Sequence, residues 1–167
     1  MKQLFKLIPL LFICISCDEI VYYDIAENKK PIFKNNDTII FENNNKSDLD
    51  TFIIILNDEY EVYDKKYYYE EILISYKKNN EISYYERMFV DLRQKSTTIS
   101  ISGFYYPYIK NDDIPLNMTI NGIEFPSVFI IKNNNVPNTI PKTIYYSYKH
   151  GIIRYDYSDS LFYYRKN

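Results

Sequence analysis

Tryptophan is absent from this chain, Ala26 is its only alanine, and its glycines number three: Gly103, Gly122 and Gly151. Glycines so few and so far apart exclude a Gly-rich loop that cradles phosphate. Near-absence of alanine removes the strongest helix former. His150 is the only histidine, so a zinc site with two imidazole ligands is excluded. The same histidine would have to serve as the base of a Ser-His-Asp triad, yet it sits beside Lys149 in what reads as an exposed turn. Cysteine occurs twice, as Cys14 and Cys17, so disulfides and thiol catalysis are excluded from everything beyond the first 17 residues. No long basic run is present and the formal net charge is −2, which argues against a nucleic-acid partner. The residues point to no cofactor and no metal.

What is abundant is tyrosine, 20 residues, with 10 phenylalanines and many isoleucines. Aromatic and β-branched residues favour a pleated, half-buried surface. The chain is therefore expected to be all-β: a single antiparallel, meander-rich sheet, curved or folded like a sandwich or half-barrel. Strands are predicted at Thr38–Glu42, Thr51–Leu56, from Tyr68 through Tyr76, Ile82–Leu92 and Thr97–Ile101. The apolar run Thr51–Leu56 should end at Asn57-Asp58. From Tyr68, the residues Tyr68, Ile72, Ile74 and Tyr76 share one face at period two, with Glu70 as the exception. Asn121-Gly122 between apolar runs is the strongest hairpin signal, since both residues accept the positive φ angles of a type I′ turn. Pro126 should interrupt the next run, leaving Ser127–Lys132 as a strand. Thr143–Tyr148, Ile152–Tyr157 and Leu161–Arg165 follow, with Gly151 supplying a positive φ at a tight turn.

The first 17 residues read differently. Lys2 and Lys6 form a basic start, Leu7 to Ile15 an apolar run too short to span a bilayer, and Ser16 a small residue before a cut; this is the order of a secretory signal peptide. Ile15-Ser16-Cys17 resembles the end of a bacterial lipobox, although Cys14 stands where leucine is usual. The resemblance implies cleavage before Cys17 and acylation of its thiol and amine. Two or three acyl chains anchor a protein stably. The expected organisation is a signal peptide over 1–16, a tether over 17–30 with Ile20–Tyr23 as a candidate first strand, and one β-rich domain over 31–167. Cleavage leaves about 151 of the 167 residues and, with Lys2 and Lys6 gone, a net charge of about −4.

Ile120–Val128, Ile144–Ser147 and Gly151–Tyr155 resemble the carboxyl region of uncharacterised Bacteroidetes lipoproteins: an Ile-Asn-Gly hairpin, a tyrosine-rich strand, then a glycine turn into a final hairpin. In that group an acidic run after the cysteine resembles a surface-export signal, and Asp18-Glu19 is a short version of it. The resemblance implies an outer-membrane lipoprotein, periplasmic or surface-facing, and transfers no catalytic residue. Asp37-Thr38-Ile39 and Asp159-Ser160-Leu161 resemble the O-glycosylation sites of the same bacteria, which makes Thr38 and Ser160 candidate modification sites.

Adjacent carboxylates do not build an active site here. Glu70 and Glu71 point to opposite faces of a strand, and Asp112-Asp113 reads as solvated. Asn111-Asp112-Asp113 lacks the spacing of a Ca²⁺ loop. The expected function is a non-enzymatic, membrane-anchored binding or structural module of the cell envelope, with an envelope protein or a glycan as partner. Its candidate ligand-binding aromatics are Tyr105, Tyr106 and Tyr108 in the Gly103–Tyr108 segment, since an exposed tyrosine offers an apolar ring with a polar tip. The alternatives are a glycan-acting hydrolase and a carrier of apolar ligands.

Overall fold

The structure, a computed structural model, describes residues 19–78 and 88–166. These residues form a 13-stranded sheet. The strands are β1 (Val21–Tyr23), β2 (Thr38–Asn43), β3 (Leu49–Asp64), β4 (Tyr67–Lys78), β5 (Met88–Arg93), β6 (Ser96–Ile101), β7 (Phe104–Tyr105), β8 (Ile109–Lys110), β9 (Leu116–Ile120), β10 (Ile123–Lys132), β11 (Thr143–Ser147), β12 (Gly151–Ser158) and β13 (Leu161–Arg165). A single 3₁₀ turn, Glu27–Lys29, follows β1.

Two antiparallel meanders make up the sheet. One runs β2 to β7 and the other β9 to β13, each strand beside its chain neighbour. They join where β2 pairs with β13, with Tyr163 opposite Asn43 and Arg165 opposite Phe41. The sheet is not closed. Its two arms instead fold toward each other over a shared core. The Tyr76 hydroxyl on β4 accepts the Ile152 amide of β12 at 3.0 Å. Tyr155 of β12 donates to Asp50 of β3 at 2.6 Å. Asn133, beyond β10, donates to the Tyr105 carbonyl at 2.8 Å. Tyr76, Tyr146, Tyr155 and Phe41 are among the largest fully buried side chains and fill the space between the arms. A smaller cluster forms on the opposite face, where Ile120, Phe125 and Val128 pack against Ile153 and Tyr164.

Period-two patterning explains most of this. On β4, Ile72, Ile74 and Tyr76 face the core. On β6, Thr97, Ile99 and Ile101 are buried. Asn121 and Gly122 have φ of 50° and 79° between β9 and β10, the geometry a type I′ turn demands. Gly151 has φ of 67°, and a Cβ there would collide with the Tyr76 hydroxyl and the Phe33 ring.

Three expectations are revised. β3 does not stop at Asn57-Asp58 but continues to Asp64, paired with β4 down to Tyr67; a polar pair does not end a strand whose ladder bonds are supplied by a neighbour. Pro126 does not divide β10. The strand passes through it with a register shift between Phe125 and Val128 and with Ser127 at φ of 55°, so the irregularity is absorbed as a bulge. The candidate first strand within Ile20–Tyr23 is present as β1, but the segment after it is not a free tether, because Ile25 lies in the core. The strand expected over Ile82–Leu92 is seen from Met88 onward; its first part lies outside the described residues, as do Cys14 and Cys17.

Candidate functional site

β3 and β4 run together beyond the rest of the sheet, and their far ends form a ribbon with β1. β1 lies parallel to β4, with Val21 opposite Tyr67, Tyr22 opposite Tyr68 and Tyr23 opposite Tyr69. Aromatic rings join the three strands. Tyr22 meets Tyr60 edge-on at 5.2 Å and Tyr68 at 5.1 Å. On the other face Tyr23 stacks on Tyr69 at 4.7 Å, and Tyr63 meets Tyr69 edge-on at 5.7 Å. Two polar latches complete the attachment. Tyr60 donates to Asp24 at 2.6 Å, and that hydrogen bond, with burial and the Asp24 charge, pushes the phenol up to about 12. Glu70, 4% exposed, accepts the Ile25 amide at 2.6 Å and pairs with Lys30 at 2.7 Å. The pairing with Glu70 raises the Lys30 ammonium against the opposing effect of burial. Glu70, the exception in an apolar pattern, is thus the acceptor that holds the N-terminal segment down.

The outer face of this ribbon carries a hollow of about 290 Å³ lined by Glu61, Tyr63, Tyr69, Glu71, Arg93 and Gln94. Arg93 organises its floor. The guanidinium bonds Glu71 at 2.7 Å, Asp91 at 3.1 Å and Glu61 at 3.3 Å. Burial and the neighbouring Asp91 raise the Glu71 carboxyl, while Arg93 pulls it back. A second hollow of about 340 Å³ follows on the same face, lined by Leu73, Phe89, Asp91, Thr98, Ser100, Gly103 and Tyr105. Asp91 belongs to this second wall and to the Arg93 network, so the two hollows meet along β5. Aromatic rings stand at both ends, with a guanidinium, carboxylates and hydroxyls between. Rings can stack on the CH faces of a sugar, and the polar groups can bond its hydroxyls.

Of the residues singled out from sequence, Tyr105 is 71% exposed and lines the second hollow. Tyr108 is also exposed, with the Lys110 ammonium 5.7 Å over its ring, but it lies in a different cleft with Ile114 and Ile130. Tyr106 is 2% exposed and its hydroxyl donates to the Pro141 carbonyl. Its amide bonds Ile99, which turns the side chain into the core, so the three rings do not project together. Thr38 is exposed at the start of β2, and Ser160 is exposed in the β12–β13 turn with its hydroxyl 3.2 Å from Ser158. Cys17 lies outside the described residues. His150 is half-buried against Phe125, and burial with Arg165 and Lys149 nearby lowers its imidazole. Asn111 and Asp113 are otherwise engaged: Asp113 accepts the Lys110 amide within its turn, and Asn111 donates to the Gln94 carbonyl and accepts from the Lys29 ammonium.

Sequence reasoning missed Arg93, Glu71, Tyr63 and Tyr69 as a group. The adjacent aromatics of Tyr67-Tyr68-Tyr69 were a signal, but only the β3–β4–β5 register brings Glu61, Glu71 and Arg93 together. Among the described residues no group of three or more His, Cys, Asp or Glu is placed to hold a metal ion, and no helix is long and apolar enough to cross a membrane. No family, no curated protein and no solved structure matches this chain.

Proposed function

We propose that this chain is a lipid-anchored, non-enzymatic binding module of the bacterial outer membrane, and that its ligand is a glycan held on the outer face of the β3–β6 arm. The observation that carries the ligand class is the hollow whose lining combines Tyr63 and Tyr69 with the Arg93–Glu71–Glu61 network. Its size lies at the small end of ligand sites, which suits one or two sugar units. The lipobox-like Ile15-Ser16-Cys17 supports the anchor. Buried tyrosines between the two arms count against an apolar-ligand carrier, because they occupy the space such a ligand would fill.

A glycan-acting hydrolase is the second reading, and the raised Glu71 carboxyl beside Asp91 favours it. Glycoside cleavage needs carboxyl groups roughly 5–9.5 Å apart. Glu71 and Asp91 share one guanidinium, at 2.7 and 3.1 Å, an arrangement that fits a positioning network better than an acid–base pair.

Two experiments test the proposal. Alkyne-palmitate labelling of wild type and Cys17→Ala, with protease shaving of intact cells, tests the anchor and its orientation; label that persists in Cys17→Ala refutes the anchor. Glycan-array screening of the protein, followed by titration of Tyr63→Ala and Arg93→Gln, tests the hollow. Each variant is expected to weaken a glycan hit at least about tenfold, the equivalent of about 1.4 kcal/mol. Unchanged affinity in both variants refutes the site. Cleaved glycan, lost in Glu71→Gln, transfers the assignment to the hydrolase.

A further inference from the structure

The ribbon that carries the hollow ends in an unusual hairpin tip. Exposed hairpin turns are ordinarily polar. Here Tyr63 is 82% exposed and Val62 58%, with Ile20, Tyr22 and Tyr67 also exposed beside them. Lys65 and Lys66 make the turn itself. The start of β1 is attached at this same point, because the Val21 amide bonds the Lys66 carbonyl at 2.8 Å. β1 runs parallel to β4, so the chain before Val21 leaves the molecule at the tip rather than at the body.

We infer that this tip is a second membrane contact, in which Val62, Tyr67, Ile20 and Tyr22 seat in the phospholipid headgroup layer and hold the domain upright on its anchor. The inference rests on the acylation of Cys17 proposed above. Four residue steps separate Cys17 from Val21, and an extended chain covers at most ~14 Å in that length. A headgroup region is roughly 5–8 Å thick on each side of the hydrocarbon. An acylated Cys17 sits at the inner edge of that layer, so the tip cannot stand far above it. Tyrosine is the residue type that settles at the membrane–water interface, with its ring toward the chains and its hydroxyl toward water. Lysines of the turn meet lipid phosphates. Glu61 and Asp64 lie close by and offset that charge, so the rings and Val62 supply the contact and it should depend little on salt.

The opposite end of the molecule provides a control. β3 advances 15 residue steps from Leu49 to Asp64, about 50 Å if straight, and Leu161 lies toward the Leu49 end through the pairing of β13 with β2. The chain has no tryptophan, so one introduced residue becomes a unique reporter. The full chain carrying Tyr67→Trp or Leu161→Trp is expressed with its leader, purified and reconstituted into vesicles of phosphatidylethanolamine and phosphatidylglycerol. Bromine-labelled lipid is expected to quench the Tyr67→Trp emission several-fold more than that of Leu161→Trp, in low and high salt alike. Adding Val62→Ser and Ile20→Ser is expected to reduce that quenching while the far-ultraviolet dichroism stays unchanged. Tyr67→Trp emission quenched by aqueous iodide as readily as that of Leu161→Trp overturns the inference, and so does a reporter shielded from both quenchers, which would mean a protein covers the tip. Palmitate labelling of the same preparation separates the two claims. Unlabelled protein refutes the anchor, whereas labelled protein with a water-exposed reporter refutes only the seated tip.

Discussion

At the scale of single residues, tyrosine plays opposite parts depending on whether its hydroxyl is partnered. Tyr76 and Tyr146 are both fully buried. The Tyr76 oxygen accepts the Ile152 amide, while the Tyr146 hydroxyl has no hydrogen-bond partner among the described residues. Removing a partner from a buried amide costs about 1–3 kcal/mol, whereas an unpaired buried hydroxyl is itself a cost. Tyr76→Phe should therefore destabilise the fold by about that amount, and Tyr146→Phe should be neutral or stabilising by up to about 1 kcal/mol. Urea unfolding of the two variants checks the contrast; equal losses would refute it. Gly151→Ala combines a left-handed backbone with a collision against Tyr76 and Phe33. It should cost more than about 2 kcal/mol, read from the same unfolding curves.

At the scale of elements, β1 is too short to stay in place by its own ladder. Three residues pair with β4, and the remainder of the attachment comes from the tyrosine contacts and from Glu70. Glu70→Gln keeps the shape but removes the charge that binds Lys30 and strengthens the bond from Ile25. A charge-assisted hydrogen bond of this kind contributes about 1.5–3 kcal/mol. The variant should release the segment locally: hydrogen exchange of the Val21 and Ile25 amides should accelerate while the β10–β12 amides stay protected. Uniform acceleration across the sheet would mean that Glu70 supports the whole fold instead. The Tyr60–Asp24 bond adds a pH dependence of definite sign. Because the folded phenol is raised to about 12, its stabilisation is complete below the ordinary tyrosine value near 10 and is lost as pH rises from there toward 12. Tyr60→Phe should remove that part of the alkaline loss, measured as proteolytic cutting near Asp24 at increasing pH.

At the scale of the whole molecule, the buried phenols act in one direction. Burial raises Tyr76, Tyr146, Tyr155, Tyr157 and Tyr163 above the ordinary value. The unfolded chain gives up these protons near pH 10 and the folded chain does not, so stability falls with every step above that pH. A tyrosinate absorbance titration should show the buried set ionising together with loss of the near-ultraviolet dichroism, in one cooperative step. Gradual ionisation with the fold intact would show that these rings are accessible. The opposite limit involves His150, whose imidazole is lowered by burial and two neighbouring cations. Its proton is bound more weakly in the folded state, so a destabilising effect sets in below about pH 6.5 and grows until the folded value is passed.

Local pattern and composition by themselves determined the all-β class, the Asn121-Gly122 hairpin, the left-handed Gly151 and the buried faces of β4 and β6. Each of these depends on a period of two or on the conformational freedom of one residue, and both can be read within a few positions. The length of β3, the passage of β10 through Pro126, the inward turn of Tyr106 and the capture of β1 were decided by pairing with other segments of the sheet, for β1 with a strand more than 40 residues away. The candidate hollow is of the same kind. Glu61, Glu71 and Arg93 lie on three strands, and nothing in their separate surroundings announces that one guanidinium will bind all of them. A side chain's face is set by its neighbours in the chain, but its partners are set by register, and register is a property of the folded sheet.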